Sequence, residues 1–169
     1  MIPQVRRAAP GDAAALTVIY NHYIRDTPAT FDIAEKSVAE TTAWLDQFSD
    51  AGRYQCFVAQ DAGRVIGWAS SHPYGERAAY APTIRVSIYL APGATGQGAG
   101  RRLYQALFAA LEDQDIHRAY AGIVLPNAAS VALHRAFGFE PVGIYGEVGR
   151  KFGRYWDVAA YLRPMGGRL

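Results

Sequence analysis

Glycines at positions 93, 96, 98 and 100 run directly into Arg101 and Arg102. Side-chain-free backbone there lets N–H groups converge, and a following helix would add the positive end of its dipole, so the segment suits an anion. Two arginines in a first helical turn oppose that dipole, and a bound anion relieves the conflict. The chemistry this implies is the grip of a pyrophosphate, although the glycines alone fit an ordinary strand-to-helix turn equally well. The loop has no Lys-Ser/Thr pair of the Walker type, and Gly96-x-Gly98-x-Gly100 is not spaced as a dinucleotide-binding Gly-x-Gly-x-x-Gly run.

The elements around the loop are legible. Residues 83–90 alternate, with Ile84, Val86, Ile88 and Leu90 on one face and Thr83, Arg85, Ser87 and Tyr89 on the other, which predicts a strand. Leu103, Ala106, Leu107, Ala110 and Leu111 recur at helical spacing and predict a helix over 98–113. Upstream, a strand is expected over 3–9, then a Pro10-Gly11-Asp12 turn with Asp12 capping a helix whose apolar face holds Leu16, Ile19, Tyr20 and Tyr23. Residues 26–31 break that helix. Ser37 and Glu40 form a capping box for a second helix reaching about Phe48. Strands over 54–60 and 64–71 are joined by a hairpin at Asp61-Ala62-Gly63, and 72–82 is an irregular connection.

A strand over 118–124, a short helix from Asn127 to Gly138 and two antiparallel strands within 139–163 complete the order β-α-α-β-β-β-α-β-α-β-β. Asn127, Ser130, Val131 and His134 share one stripe of the short helix, beside an apolar one. Such a stripe can face a cofactor. The alternative is that Asn127 caps the helix and the others face solvent.

At 169 residues, half of them apolar and 19% charged, the chain reads as one globular domain over 1–169, of mixed α+β class. A net charge of +2 without a Lys/Arg cluster argues against nucleic acid as a partner. No apolar run is long enough for a membrane span or resembles a signal peptide, so a cytoplasmic protein is expected. Cys56, the single cysteine, lies in an apolar run and reads as a buried thiol.

Taken together, the chain resembles the GCN5-related N-acetyltransferase superfamily, in its phosphinothricin and methionine-sulfoximine acetyltransferase branch. The resemblance runs nearly end to end: Ile19-Tyr20-Asn21-His22-Tyr23, Arg77-x-Ala79-Tyr80, Ser87-Ile88-Tyr89, Gly98-x-Gly100-Arg101, Leu125-Pro126-Asn127 with Ser130, Leu133-His134 and Gly138-Phe139, and Val148-Gly149-x-Lys151-Phe152-Gly153-Arg154 with Asp157. It implies a central, mostly antiparallel sheet with helices on both faces and strands splayed at an acetyl-CoA site. It further implies direct acetyl transfer to the amine of a small amino-acid-like acceptor, a homodimer and no metal.

By the same resemblance, Thr95, Gly96, Gln97, Gly98, Ala99, Gly100 and Arg101 grip the pyrophosphate. The backbone of Ser87, Ile88, Tyr89 and Leu90 meets the pantetheine arm, with Asn127 and Ser130 as further contacts. His134 is expected to move the proton, and Phe31, Arg77 and Arg85 to face the acceptor.

One departure from the family pattern matters chemically. Arg85 stands where the family carries a strand glutamate proposed as base, and a guanidinium stays protonated. For an α-amine of pKa roughly 8 that loss is worth about 1 kcal/mol; for a lysine-like amine it is about three decades in rate. Arg85 is expected either to pair with an acceptor carboxylate, phosphonate or arsonate-like group, or to pair with a local acid such as Glu76. The alternatives to a small-molecule acetyltransferase are a protein or peptide N-terminal acetyltransferase and a catalytically weak acyl-CoA-binding module.

Overall fold

The computed structural model describes residues 2–166. Its elements are β1 (Gln4–Arg7), α1 (Ala13–Asp26), α2 (Val38–Leu45), β2 (Cys56–Asp61), β3 (Arg64–Pro73), β4 (Thr83–Leu90), α3 (Ala99–Leu111), β5 (Arg118–Val124), α4 (Ala128–Ala136), β6 (Glu140–Lys151) and β7 (Arg154–Pro164), with 3-10 turns at Pro10–Asp12 and Ala78–Tyr80. The strands form one seven-stranded sheet in the order β1-β2-β3-β4-β5-β7-β6. Every pairing is antiparallel except β4 with β5. The expected α+β class and the predominantly antiparallel sheet with helices on both faces are both found.

The period-two pattern of the central strands explains the layering. On β2, Phe57 and Ala59 join the cluster under α3, whereas Cys56 and Val58 join the one under α1 and α2. On β4, Ile84 and Val86 are buried against α3, leaving Arg85, Ser87 and Tyr89 for the opposite face. Leu103, Leu107 and Leu111 of α3 are buried almost completely, each contributing about 1.5–3 kcal/mol by burial.

Three local readings are corrected. Asp12 does not cap α1 with its side chain; it accepts from the Arg6 guanidinium at 2.7 Å and from the Ala9 N–H at 2.8 Å. The ion pair with Arg6 outcompetes the helix cap, and this tie holds the Asp12 carboxyl below its usual pKa against the cost of its burial. Helix α2 ends at Leu45, three residues short of the expected Phe48, and the chain turns there. Strand β3 runs on through His72 and Pro73, because β4 continues to pair with it there. His72 is therefore held on the sheet and not in a loop.

The C-terminal hairpin is fastened to the loop between α1 and α2. The buried Lys151 ammonium donates to the Thr30 carbonyl at 2.8 Å and the Tyr23 carbonyl at 3.2 Å. Beside it the Phe31 ring fills the space that a side chain at Gly149 would occupy. In Gly149→Ala the new methyl group overlaps that ring, so the loop must shift. Urea unfolding is expected to show a loss of about 1–3 kcal/mol; unchanged stability would mean that Phe31 is not seated there.

Candidate active site

β4 and β5 pair only over Thr83–Arg85 and Arg118–Tyr120. Beyond that the two parallel strands part, although β4 continues to Leu90 and β5 to Val124. Parting strands leave backbone donors and acceptors facing a gap, where they need partners. A cavity of about 370 Å³ fills the gap. It is lined by Ser87, Ile88, Tyr89 and Leu90 on one side, Gly122, Ile123 and Val124 on the other, and Asn127, Ser130, Leu133 and His134 from α4.

The glycine loop closes one end, through Thr95, Gly96, Gly98, Gly100 and Arg101. Gly98 occupies the N-cap of α3 with φ +81°, a left-handed conformation that disfavours any Cβ, and no side chain caps the helix there. The first N–H groups of α3 are thus left for a ligand, beside an exposed Arg101. This arrangement fits a pyrophosphate at the loop and an amide-bearing arm along the gap.

A second cavity, of about 550 Å³, lies between the α1–α2 side and the sheet. Its lining includes Tyr20, Trp44, Trp68, His72, Arg85, Asp32, Lys36 and Glu40. Ser87 and Tyr89 line both cavities, so β4 is their common wall. The Tyr89 ring lies against Tyr20, Tyr23 and Trp68, with ring centroids 4.9–5.1 Å apart, and this aromatic cluster buttresses the wall. Tyr23 also donates its hydroxyl to the Leu90 carbonyl at 2.8 Å, which leaves that carbonyl committed within the protein.

The charges of the second cavity are unevenly committed. Lys36 pairs with Asp32 at 3.3 Å, and Glu40 accepts from the Ser37 N–H at 2.8 Å in the expected capping box. Arg85 has no carboxylate partner among the described residues, and no pair with Glu76 forms. Arg85 therefore offers the cavity an unneutralised guanidinium.

Most of the residues expected at the cofactor are brought together, and two are not. Gln97 turns back to donate to the Gly93 carbonyl at 2.9 Å, and Ala99 is wholly buried under α3. Asn127 satisfies both readings of its helix: it accepts from the Ser130 N–H at 3.1 Å and lines the cavity. On the acceptor side only Arg85 is in place. Arg77 lies exposed at the start of a 3-10 turn, where Tyr74 meets Tyr80 and Tyr120 edge-to-face and holds the segment toward β5. Phe31 packs on the hairpin instead of lining the acceptor cavity.

His134 stands apart from the acceptor cavity. Its Nδ1–H donates to the Ser130 carbonyl at 2.7 Å and its Nε2 accepts from the Tyr104 hydroxyl at 2.8 Å. Both nitrogens are used inside the protein, so it ties α3 to α4 and has no face on the acceptor cavity. Burial holds its pKa below the ordinary histidine value.

The sequence pattern assigns Tyr20 and Tyr23 to the apolar face of a helix and leaves His72, Trp44 and Trp68 unassigned, yet all but Tyr23 line the acceptor cavity. Their signal was present, since aromatics on α1 at three-residue spacing meet Tyr89 from the polar face of β4.

Known proteins match this chain along its length. The Acetyltransferase (GNAT) family matches residues 16–139. A phosphinothricin N-acetyltransferase of Streptomyces coelicolor is 51% identical over 164 residues, covering 96% of each chain. The L-methionine sulfoximine/L-methionine sulfone acetyltransferase of Pseudomonas aeruginosa is 35% identical over 94% of this chain and 92% of its own. The crystal structure of a GNAT superfamily phosphinothricin acetyltransferase from Sinorhizobium meliloti in complex with acetyl-CoA superposes with a TM-score of 0.92. It is 33% identical, over 98% of this chain and 90% of that one.

Burial of His72 leads to a stability prediction. Its pKa is pushed from 6.5 down to about 4, first by burial and then by the nearby Arg85 charge. Because the folded value lies below the unfolded one, the unfolded chain gains the proton first on acidification. The associated stability is complete above pH 6.5 and is lost as pH falls toward 4, by about 3 kcal/mol. Denaturant unfolding from pH 7 to 4 should therefore slope less steeply in His72→Gln; equal slopes would mean that His72 is not buried in its neutral form.

Proposed function

This chain belongs to the GNAT acetyltransferase family, and on that premise we propose that it transfers an acetyl group from acetyl-CoA to the α-amine of a small amino acid or amino-acid-like toxin. The observation that carries the proposal is the shared wall: Ser87 and Tyr89 line both the cavity suited to a pyrophosphate and arm and the cavity holding a free guanidinium. When bound, acetyl-CoA supplies an acyl group activated as a thioester. Gly96, Gly98, Gly100 and Arg101 hold its pyrophosphate, while the freed backbone edge of β4 from Ser87 onward holds and orients its arm. Asn127 and Ser130 flank the arm from α4. Backbone donors already fixed in the parting strand can meet developing oxyanion charge without reorganising.

The acceptor cavity is rich in aromatic surface and carries both signs of charge, which suits a zwitterion more than a polycation. The relatives' activities toward phosphinothricin and methionine sulfoximine agree with that reading. Release of CoA thiol is the direct assay. Turnover is expected with phosphinothricin, methionine sulfoximine and related α-amino acids, at least tenfold better in kcat/KM than with spermidine or lysine side chains. Preference for polyamines or peptide N-termini would overturn the assignment.

The same reading makes the chain one catalytic domain, working in the cytoplasm where acetyl-CoA is found, and assembling as a homodimer. The support for a dimer is strand β6, at the edge of the sheet, which exposes Val142, Ile144, Tyr145 and Val148 by more than half. An apolar edge strand of this length invites another copy. Sedimentation velocity should show a dimer that Ile144→Lys converts to monomer; a monomeric parent protein would reject the assembly.

A further inference from the structure

Arg85 and His72 are directly opposed across the β3–β4 ladder. Side chains opposed in this way share a face and lie about 5 Å apart at their Cβ atoms. Both line the acceptor cavity. His72 is oriented by a 2.8 Å hydrogen bond between its Nε2 and the buried Ser70 hydroxyl, and its ring is flanked by Phe48 at 5.2 Å and Trp44 at 5.8 Å. Its Nδ1 makes no hydrogen bond among the described residues, and the residue lines the cavity.

We infer that Arg85 and His72 work as a pair in this cavity, Arg85 docking the α-carboxylate of the acceptor and His72 taking the proton from its adjacent amine. In an α-amino acid one carbon separates the two groups, a spacing that neighbouring cross-strand side chains can span. The inference rests on the amino-acid reading given above and names the residues that select for it.

The other titratable groups around the cavity are less available. On the α1–α2 loop, Asp32 is engaged by Lys36, and on α2 Glu40 is engaged by the Ser37 N–H. On α1, the Tyr20 hydroxyl bonds Thr30 and Asp32 at 2.9 and 3.1 Å, and on β4 burial pushes the Tyr89 hydroxyl far above its usual pKa. His72 is left neutral at pH 7 and able to accept. Arg85 is one of the two influences that keep it so. A carboxylate docked on Arg85 offsets that influence, so the imidazole becomes more basic when an acceptor is present.

The proton balance is simple. One ammonium proton passes to Nδ1 of His72, and the freed nitrogen lone pair forms the bond to the thioester carbonyl carbon. The carbon–sulfur bond then breaks, its electron pair leaves with sulfur, and the thiolate takes the nitrogen's second proton. His72 returns its own proton to solvent.

The test follows the imidazole signals of the four histidines by NMR against pH, with His72→Gln assigning the signal of interest. The expected result is an upward move of the His72 titration by about one unit in Arg85→Met. A similar move is expected when methionine sulfoximine is added to the unmodified protein without acetyl-CoA, and a smaller one with its α-carboxamide. In turnover, His72→Gln should lower kcat about 100-fold with little change in KM, in the usual range for loss of a general base. Arg85→Met should raise KM for the amino acid at least tenfold while leaving that for the carboxamide within twofold. If the amino acid is acetylated but His72 ignores both Arg85→Met and the ligand, or His72→Gln keeps its kcat, the pair is overturned and the amino-acid reading stands. If neither probe moves a histidine and neither is acetylated, the amino-acid reading falls and the pair with it.

Discussion

The parting of β4 from β5 is the constraint on which the rest of this structure depends. Two parallel strands that pair over three residues and then diverge leave a backbone edge unpaired inside the fold. Such an edge is costly unless something hydrogen-bonds to it. The surrounding elements hold the strands apart: α4 leans over the far end through Leu133 and His134, and Tyr23 ties down the last residue of β4. His134 matters here as a fastener, because its ring is held to its own helix by the Ser130 carbonyl and joined through the Tyr104 hydroxyl to α3, the helix whose N-terminus forms the anion loop. One framework therefore fixes both the loop and the gap.

β4 carries the second consequence. Its apolar face is spent on the α3 core, so whatever chemistry it performs must come from the face bearing Arg85, Ser87 and Tyr89. Since Ser87 and Tyr89 reach both cavities, a group entering from the α1–α2 side meets one entering along the gap at this strand and nowhere else described. The aromatic cluster of Tyr20, Tyr23, Trp68 and Tyr89 makes the wall stiff, and the Lys151 tie to the Thr30 carbonyl sets the loop that encloses it.

What was legible in the sequence was whatever depends on short-range pattern. The two faces of β4, the glycine loop, the Ser37–Glu40 capping box and the Asn127 cap all follow from period or spacing, and the structure contains each of them. The misplaced residues owe their position to partners that period and spacing do not announce. Asp12 is taken by Arg6 across a turn, Phe31 by the space left at Gly149, and Arg77 is carried off by an edge-to-face tyrosine cluster that reaches β5. The composition of 72–82 puts His72 in a connection, and the pairing of His72 with Arg85 and of Pro73 with Ile84 keeps it on the sheet. A residue's type announces what it can do, but cross-strand register decides what it does it to.

That register also explains why a cation at position 85 is compatible with an active site. A carboxylate directly opposite Arg85 would form a tight ion pair, with its pKa held down and its basicity lost to the guanidinium. A lysine would be repelled, and a serine or threonine has no useful proton affinity near neutral pH. Histidine remains uncharged beside the cation, keeps a lone pair, and has a basicity that responds to whether the cation is matched. With burial holding His72 neutral and Ser70 fixing its ring, an acceptor's own carboxylate becomes the group that completes the base. Amines that lack one then meet an unopposed guanidinium and a histidine held weak by it, so binding selectivity and proton transfer come from the same two side chains.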